Sequence, residues 1–152
     1  MIDNPYGFVP DEFEITVLFE KQHMAAIPET HHLAVKKLIS LKTLENDDFI
    51  GYCEESFPGR NQAIIHACEE AGFKSNLQHQ SDSLVEVLAM TGSGSGVCLI
   101  PTDVVSMPYP GVKFIKIKEK LDPIHFAAVW RRGDNRLIIA SLLEHAKRQY
   151  SK

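Results

Sequence analysis

Apolar and polar residues alternate at Phe13, Ile15, Val17 and Phe19, the period of a strand with one covered face. Glu20-Lys21-Gln22 then turns the chain into a second apolar segment, Met24-Ala25-Ala26-Ile27. Two opening strands are expected. Pro28-Glu29-Thr30-His31-His32 breaks the pattern, and residues 40–48 read as a short helical connection before the strand Phe49-Ile50-Gly51-Tyr52-Cys53. From about Asn61 the spacing becomes helical, with Ile64, Ala67, Cys68 and Ala71 on one face. Gly72 suits the left-handed position after the last turn, and Phe73 suits the hydrophobic contact that closes such a cap. Residues 77–80 read as a strand, and Ser83 with Glu86 has the spacing of a capping box for a helix running to Met90.

That helix runs into Gly92-Ser93-Gly94-Ser95-Gly96, which feeds the apolar strand Val97-Cys98-Leu99-Ile100, stopped by Pro101. A phosphate-cradling loop follows a strand and opens a helix, often with a Lys after its last glycine. Here the order is reversed and no Lys follows, so the glycines are expected to stop one helix and turn tightly into a strand. Thr102 and Asp103 start one more turn before Pro108-Tyr109-Pro110-Gly111. Strands over 112–117 and 124–130 follow, with Trp130 in the core. Asp134 or Asn135 then caps a terminal helix carrying the apolar stripe Ile138, Ile139, Leu142, Leu143 and Ala146, with Lys147 and Arg148 at its end. Alternating strands and helices give an α/β class. The breaks at Pro28 and at 108–111 suggest one lobe inserted into another, lobe I over about 1–30 and 109–152 and lobe II over about 31–108, with a hinge and cleft between them.

The 152 residues suit one domain or two small lobes; 44% hydrophobic and 24% charged residues are globular values. A net charge of -4 disfavours polyanion binding by this chain alone. Cys53, Cys68 and Cys98 show no CxxC pairing and read as small buried residues in a reducing compartment. No apolar run is long enough to span a bilayer and no secretory signal is visible, so a cytoplasmic location and no membrane are expected.

Two helix starts are the candidate ligand sites. Ser56, Phe57, Pro58, Gly59, Arg60 and Asn61 lie between a strand end and a helix start, where free N–H groups hold anions and Arg60 adds a bidentate carboxylate contact. Ser81, Asp82 and Ser83 start the next helix at the same end of the sheet, where ligands of such sheets lie. Val9-Pro10 and Thr102 contribute from the lobe boundaries. Against each stands a plain structural role in capping and turning. Catalysis lacks a constellation: Cys68 is two residues after His66 and cannot face it on a helix. Neither His23 nor His31-His32 has further ligands at zinc spacing, so a surface or hinge role is expected of them. The carboxylates of 45–48 and 54–55 read as solvated. Lys113, Lys116, Lys118 and Lys120 with Arg131-Arg132 read as an exposed edge charged against strand pairing. No metal, cofactor or enzymatic activity is expected.

Taken in order, Gly7-Phe8-Val9, the segment from Ile27-Pro28 to His31-His32-Leu33-Ala34, Ser40-Leu41-Lys42-Thr43-Leu44, Ala71-Gly72-Phe73, the stretch Gly94 through Pro101, Pro110-Gly111-Val112 and Ala128-Val129-Trp130-Arg131-Arg132 carry a resemblance. Together they resemble the effector-binding domain of LysR-type transcriptional regulators. His32 stands where that family usually has Pro, and Ser95 where it has a large aliphatic residue. The resemblance implies a two-lobed α/β fold similar to type 2 periplasmic binding proteins, with an incomplete first lobe. It implies a non-catalytic sensor of a small-molecule effector, compatible with an organic anion, whose lobe closure is coupled to a DNA-binding module outside this chain. The matching 56–61 loop often lines the effector cleft in that family. A winged helix-turn-helix, a linker helix and the opening elements of the first lobe are expected before Gly7, so the chain reads as beginning mid-domain. Its open edges imply a homo-oligomer or a longer regulator. The alternatives are a stand-alone binding protein of the same fold, a dimerisation fragment without ligand, and an enzyme using Cys53 or His66.

Overall fold

The computed structural model describes residues 12–150; Gly7-Phe8-Val9 and Val9-Pro10 lie outside them. Strand β1 (Phe13–Lys21) pairs antiparallel with β8 (Ile124–Arg131) in a two-stranded ribbon. After Gln22 the chain enters β2 (His23–Pro28), which is buried along its whole length. It is flanked antiparallel by β6 (Cys98–Pro101) and β7 (Val112–Ile117), and β3 (Leu38–Ile39) extends the sheet parallel to β7. Strands β4 (Asp48–Tyr52) and β5 (Asn76–Ser81) form a parallel pair. A single parallel bridge between Phe49 and Val97 joins that pair to the β6 side. Three helices complete the fold: α1 (Arg60–Glu70), α2 (Leu84–Gly92) and α3 (Leu137–Tyr150).

The core gathers Ile27, Leu41, Leu44, Phe49, Ile50, Ile64, Val87, Leu99, Ile100 and Ile115, all 0–1% exposed. Small residues at the centre of β2, Ala25 and Ala26, let α2 pack onto it. The glycine run ends α2 as expected from its order. Gly94 takes φ 86°, its N–H donates to the Thr91 carbonyl at 3.0 Å, and the Ser95 N–H donates to the Met90 carbonyl at 3.0 Å. Two residues on, a Cβ at Gly96 would stand 2.6 Å from the Asp48 carbonyl oxygen, so only glycine admits the Val97 N–H to Asp48 hydrogen bond at 2.8 Å. The same cap closes α1, where the Gly72 N–H donates to Glu69 and the Phe73 N–H to Cys68, and the Phe73 ring folds back to 6.1 Å from Phe49.

Several expectations change. β2, which ends at Pro28, and β7, which follows residues 108–111, share one sheet with β3 and β6. The sheets divide instead at Gln22, between β1 and β2, and between β7 and β8. Ser83 makes no side-chain cap; Glu86 reaches past it to accept a hydrogen bond from the Ser81 hydroxyl. A register irregularity between Val17 and Phe19 breaks the alternation of β1, and Ile15 and Val17 remain 37% and 40% exposed. Trp130 is only half-buried on the ribbon. In the terminal stripe Ile139, Leu143 and Ala146 are half-covered while Ile138 and Leu142 stand exposed. The reason is geometric: α3 rests on β1, and one ribbon is too narrow to cover the stripe. Finally, β3 covers β7 at Lys116 and Ile117 only, so exposed Lys116 lies on a strand paired on both sides while exposed Lys113 lies where β7 pairs with β2 alone.

Candidate functional site

The parallel pairing of β4 and β5 places Tyr52 beside Ser81, and the Cys53 N–H donates to the Ser81 carbonyl at 2.8 Å. Both candidate helix starts therefore open side by side at the carboxyl end of these strands, as the order of elements implied. Their groups are mostly committed. The Ser56 and Phe57 N–H groups donate to the Cys53 carbonyl at 3.1 and 2.9 Å, and the Gly59 N–H donates to Glu54 Oε2 at 2.7 Å. The loop thus does not offer the row of free N–H groups expected of an anion cradle. Ser56 is exposed and Pro58 half-buried; Phe57 sets its ring edge-on to Tyr52, centroids 5.2 Å apart.

Gly59, at φ 74°, occupies the residue before α1, so Asn61 is a helical residue and not the cap. Asn61 is buried, and its amide pairs with a backbone: the Tyr52 N–H donates to Oδ1 at 2.8 Å and Nδ2 donates to the Tyr52 carbonyl at 2.6 Å. One side chain here does the work of a neighbouring strand. In the second start, the Ser81 hydroxyl accepts from the Ser83 N–H at 3.1 Å and donates to Glu86. Asp82 is exposed and Ser83 half-buried. Thr102 lies at a crossing between the sheets, its N–H donating to the Gln22 carbonyl at 3.0 Å.

A cavity of about 490 Å³ opens between one face of α1 and the segment that leads from β7 into β8. Gly59, Arg60, Ala63 and Ala67 line it from the helix, Leu121, Asp122, Pro123 and Ile124 from the crossing, and His23 from the start of β2. Arg60 is 3% exposed. Its guanidinium lies 5.3 Å over the Tyr52 ring, whose hydroxyl donates to the Leu99 carbonyl at 3.0 Å. Its Nε has no hydrogen-bond partner, and among the described residues no carboxylate pairs with it. A buried charge without a counterion is costly. His23 stands beside it, 8% exposed. Burial first, then the charge of Arg60, push its imidazole down to about 3 against a hydrogen bond to the Asp122 backbone, so the ring is neutral near pH 7. Its Nδ1 is also buried without a partner.

Of the residues chosen from sequence, Gly59 and Arg60 line this cavity. Ser56, Phe57, Pro58, Asn61, Ser81, Asp82, Ser83 and Thr102 do not line it. Sequence reasoning missed Gln62, Ala63, His66, Ala67 and Glu70, which follow Gly59 and Arg60 at helical spacing along one face of α1. That periodicity was readable, but nothing local says which partner the face meets. It also missed the 121–125 crossing. His66 sits 3.8 Å from Glu70, both half in solvent, and His125 pairs with Glu20 at 3.0 Å across the ribbon.

Burial pushes the Cys68 and Cys98 thiols up to about 11, so neither is a thiolate near neutrality, and Cys68 lies buried while His66 is exposed. His31 Nε2 stands 3.0 Å from Asp47 while its Nδ1 accepts the Leu33 N–H, which ties down the loop after β2. Among the described residues no group of three His, Cys, Asp or Glu side chains is arranged to hold a metal ion. No helix among them is long and apolar enough to cross a membrane.

The LysR substrate binding domain family model matches residues 2–151. The transcriptional dual regulator GltC of Bacillus subtilis is 33% identical over 128 residues, which cover 82% of this chain and 40% of GltC. The HTH-type transcriptional regulator AlsR of the same organism is 26% identical over 105 residues, 69% of this chain and 33% of AlsR. The chain spans under half the length of the curated relatives it matches. Among solved structures, CbnR, a LysR family transcriptional regulator, superposes with a TM-score of 0.81 at 18% identity, over 95% of this chain and 51% of that one. The BenM effector-binding domain with its effector benzoate gives 0.75 at 16% identity, over 93% and 64%.

Proposed function

The chain belongs to the LysR substrate-binding domain family, and from that premise we propose that it is the small-molecule-sensing part of a transcriptional regulator, with the cavity beside α1 as its effector site. The fold is mixed α/β, of the type 2 periplasmic-binding-protein kind. The observation that carries the reading is Arg60: a guanidinium 3% exposed, with no counterion among the described residues, on the wall of a cavity of about 490 Å³. A bound organic anion supplies the missing charge and is held more tightly there than a surface ion pair, since water is excluded. Such cavities take small molecules.

The lobes follow the sheets. One lobe is the body built on β2 to β7; the other is the β1–β8 ribbon with α3, joined through Gln22 and through residues 118–123. An anion touching both α1 and the crossing stabilises one relative orientation of the two by its differential contacts. The DNA-binding module that reads this orientation lies outside the chain, and the exposed apolar residues of α3 support self-association.

The test is thermal unfolding with a panel of monocarboxylates, benzoate first. A binder at a hundredfold its Kd stabilises the protein by about 2.7 kcal/mol, and Arg60→Gln removes that gain. Stabilisation that survives in Arg60→Gln places the ligand elsewhere. Absence of any ligand response favours the dimerisation fragment.

A further inference from the structure

Arg60 accounts for one end of a ligand, and His23 constrains another. The His23 ring gives its one proton to the Asp122 carbonyl, which leaves the second nitrogen of a neutral imidazole as an acceptor. That nitrogen, Nδ1, is buried and unpartnered on a side chain that lines the cavity. An unmet acceptor in a site shielded from water favours whatever donates to it. The two residues come from different elements, the start of β2 and the start of α1, and the charge of Arg60 is felt at His23. Fixed positive charge and unmet acceptor therefore belong to two residues of one cavity wall.

A plain carboxylate meets only half of this pair. It satisfies the guanidinium and brings further lone pairs toward Nδ1. An ammonium as the donor is repelled by Arg60, whereas a hydroxyl donates without adding charge. The carbon skeleton between the two groups lies against Ala63, Leu121, Pro123 and Ile124. We infer that the cavity selects organic acids that also carry a hydroxyl group, the carboxylate held by Arg60 and the hydroxyl donating to Nδ1 of His23. The inference rests on the cavity being the effector site.

Calorimetric titration of the full 152-residue chain with matched acids tests it: benzoate against its three monohydroxy derivatives, and butyrate against 2- and 3-hydroxybutyrate. At least one hydroxy acid binds about tenfold or more tightly than its parent, because a site built around a hydroxyl rejects the analogue that lacks it. His23→Phe removes the preference, bringing that acid and its parent to equal affinity, while His23→Gln, which keeps an acceptor oxygen, restores part of it. Equal binding within every pair overturns the inference, as does a preference that survives in His23→Phe.

The wild-type protein alone gives a second readout should His23→Phe fail to fold. With the ring accepting from the ligand, hydroxy-acid affinity stays flat as pH falls from about 7 to about 6. Affinity rising toward about tenfold over that unit, and not in His23→Gln, means that the ring takes a proton instead, and overturns the inference. His66, Glu70, Asp122 and His125 face the same cavity and are present in both proteins. Binding that Arg60→Gln abolishes, without any hydroxyl preference, overturns the inference and leaves the effector site standing. No binding of any acid overturns both.

Discussion

The body of the molecule and its ribbon are written in the same alphabet of Ile, Val, Leu and Phe, yet they bury these residues to different degrees. In the body, Ile27, Phe49, Ile50, Leu99 and Ile100 are all at 0% exposure, because helices cover the sheet and the sheet covers the helices. In the ribbon, Ile124 and Ala127 are buried while Leu137, Ile138 and Leu142 are 66–88% exposed. Two strands and one helix can shield each other along one line of contact only, and a third layer is missing among the described residues. A periodic apolar stripe thus states which face seeks cover. Whether the cover is present is a property of the tertiary assembly.

The sharpest way to break this comparison is to truncate one side chain in each region. Leu99→Ala or Ile50→Ala should cost about 3 kcal/mol in urea unfolding, as expected for a fully buried aliphatic group; a loss below about 1 kcal/mol in both would deny the body its closed core. Next in size is Asn61→Ala, which removes both side-chain hydrogen bonds to the Tyr52 backbone. A cost of about 2 kcal/mol is expected, and a neutral result would mean that water replaces the amide at the start of α1.

Smaller per unit, but diagnostic of the seam between the regions, is the acid response. His23 has a folded pKa near 3, below its unfolded value near 6.5. Between those values the unfolded chain binds more protons, so the contribution is complete above about pH 6.5 and is lost as pH falls toward 3. The slope is at most about 1.4 kcal/mol per pH unit. His23→Gln should flatten that share of the curve, and an unaltered slope would remove His23 as its origin. The smallest effect is expected on the ribbon: Leu142→Gln or Ile138→Gln should change stability by less than about 0.5 kcal/mol, as for exposed positions. A larger loss that grows with protein concentration would show that a second copy covers α3 in solution.

Much of the fold was legible because its signals are local. The caps at Gly72-Phe73 and Gly94-Ser95 follow from backbone rules that hold within six residues, and the strands announce themselves by apolar runs. Sheet partnership did not follow. Pro28 and residues 108–111 punctuate the chain strongly, but Pro28 ends a strand whose partners, β6 and β7, lie 70 or more residues away in sequence. The site divided in the same way. Arg60 was accessible to sequence reasoning because a cation beside a helix start invites an anion; its lack of a carboxylate partner among the described residues was not, since that depends on what surrounds it in space. Ser81 and Ser83 carried the same local signature, and their groups turned out to be spent on Glu86 and on each other.

The junction at Gln22 and residues 118–123 also has a mechanical meaning. Beyond it β1 extends for nine residues, a stiff arm of about 30 Å, while the cavity sits at its root. A swivel of about 10° at that root would sweep the far tip through about 5 Å on that arm length. If the cavity takes the proposed effector, the ribbon is the part of the molecule that would turn a displacement of under an ångström at its root into the longest travel.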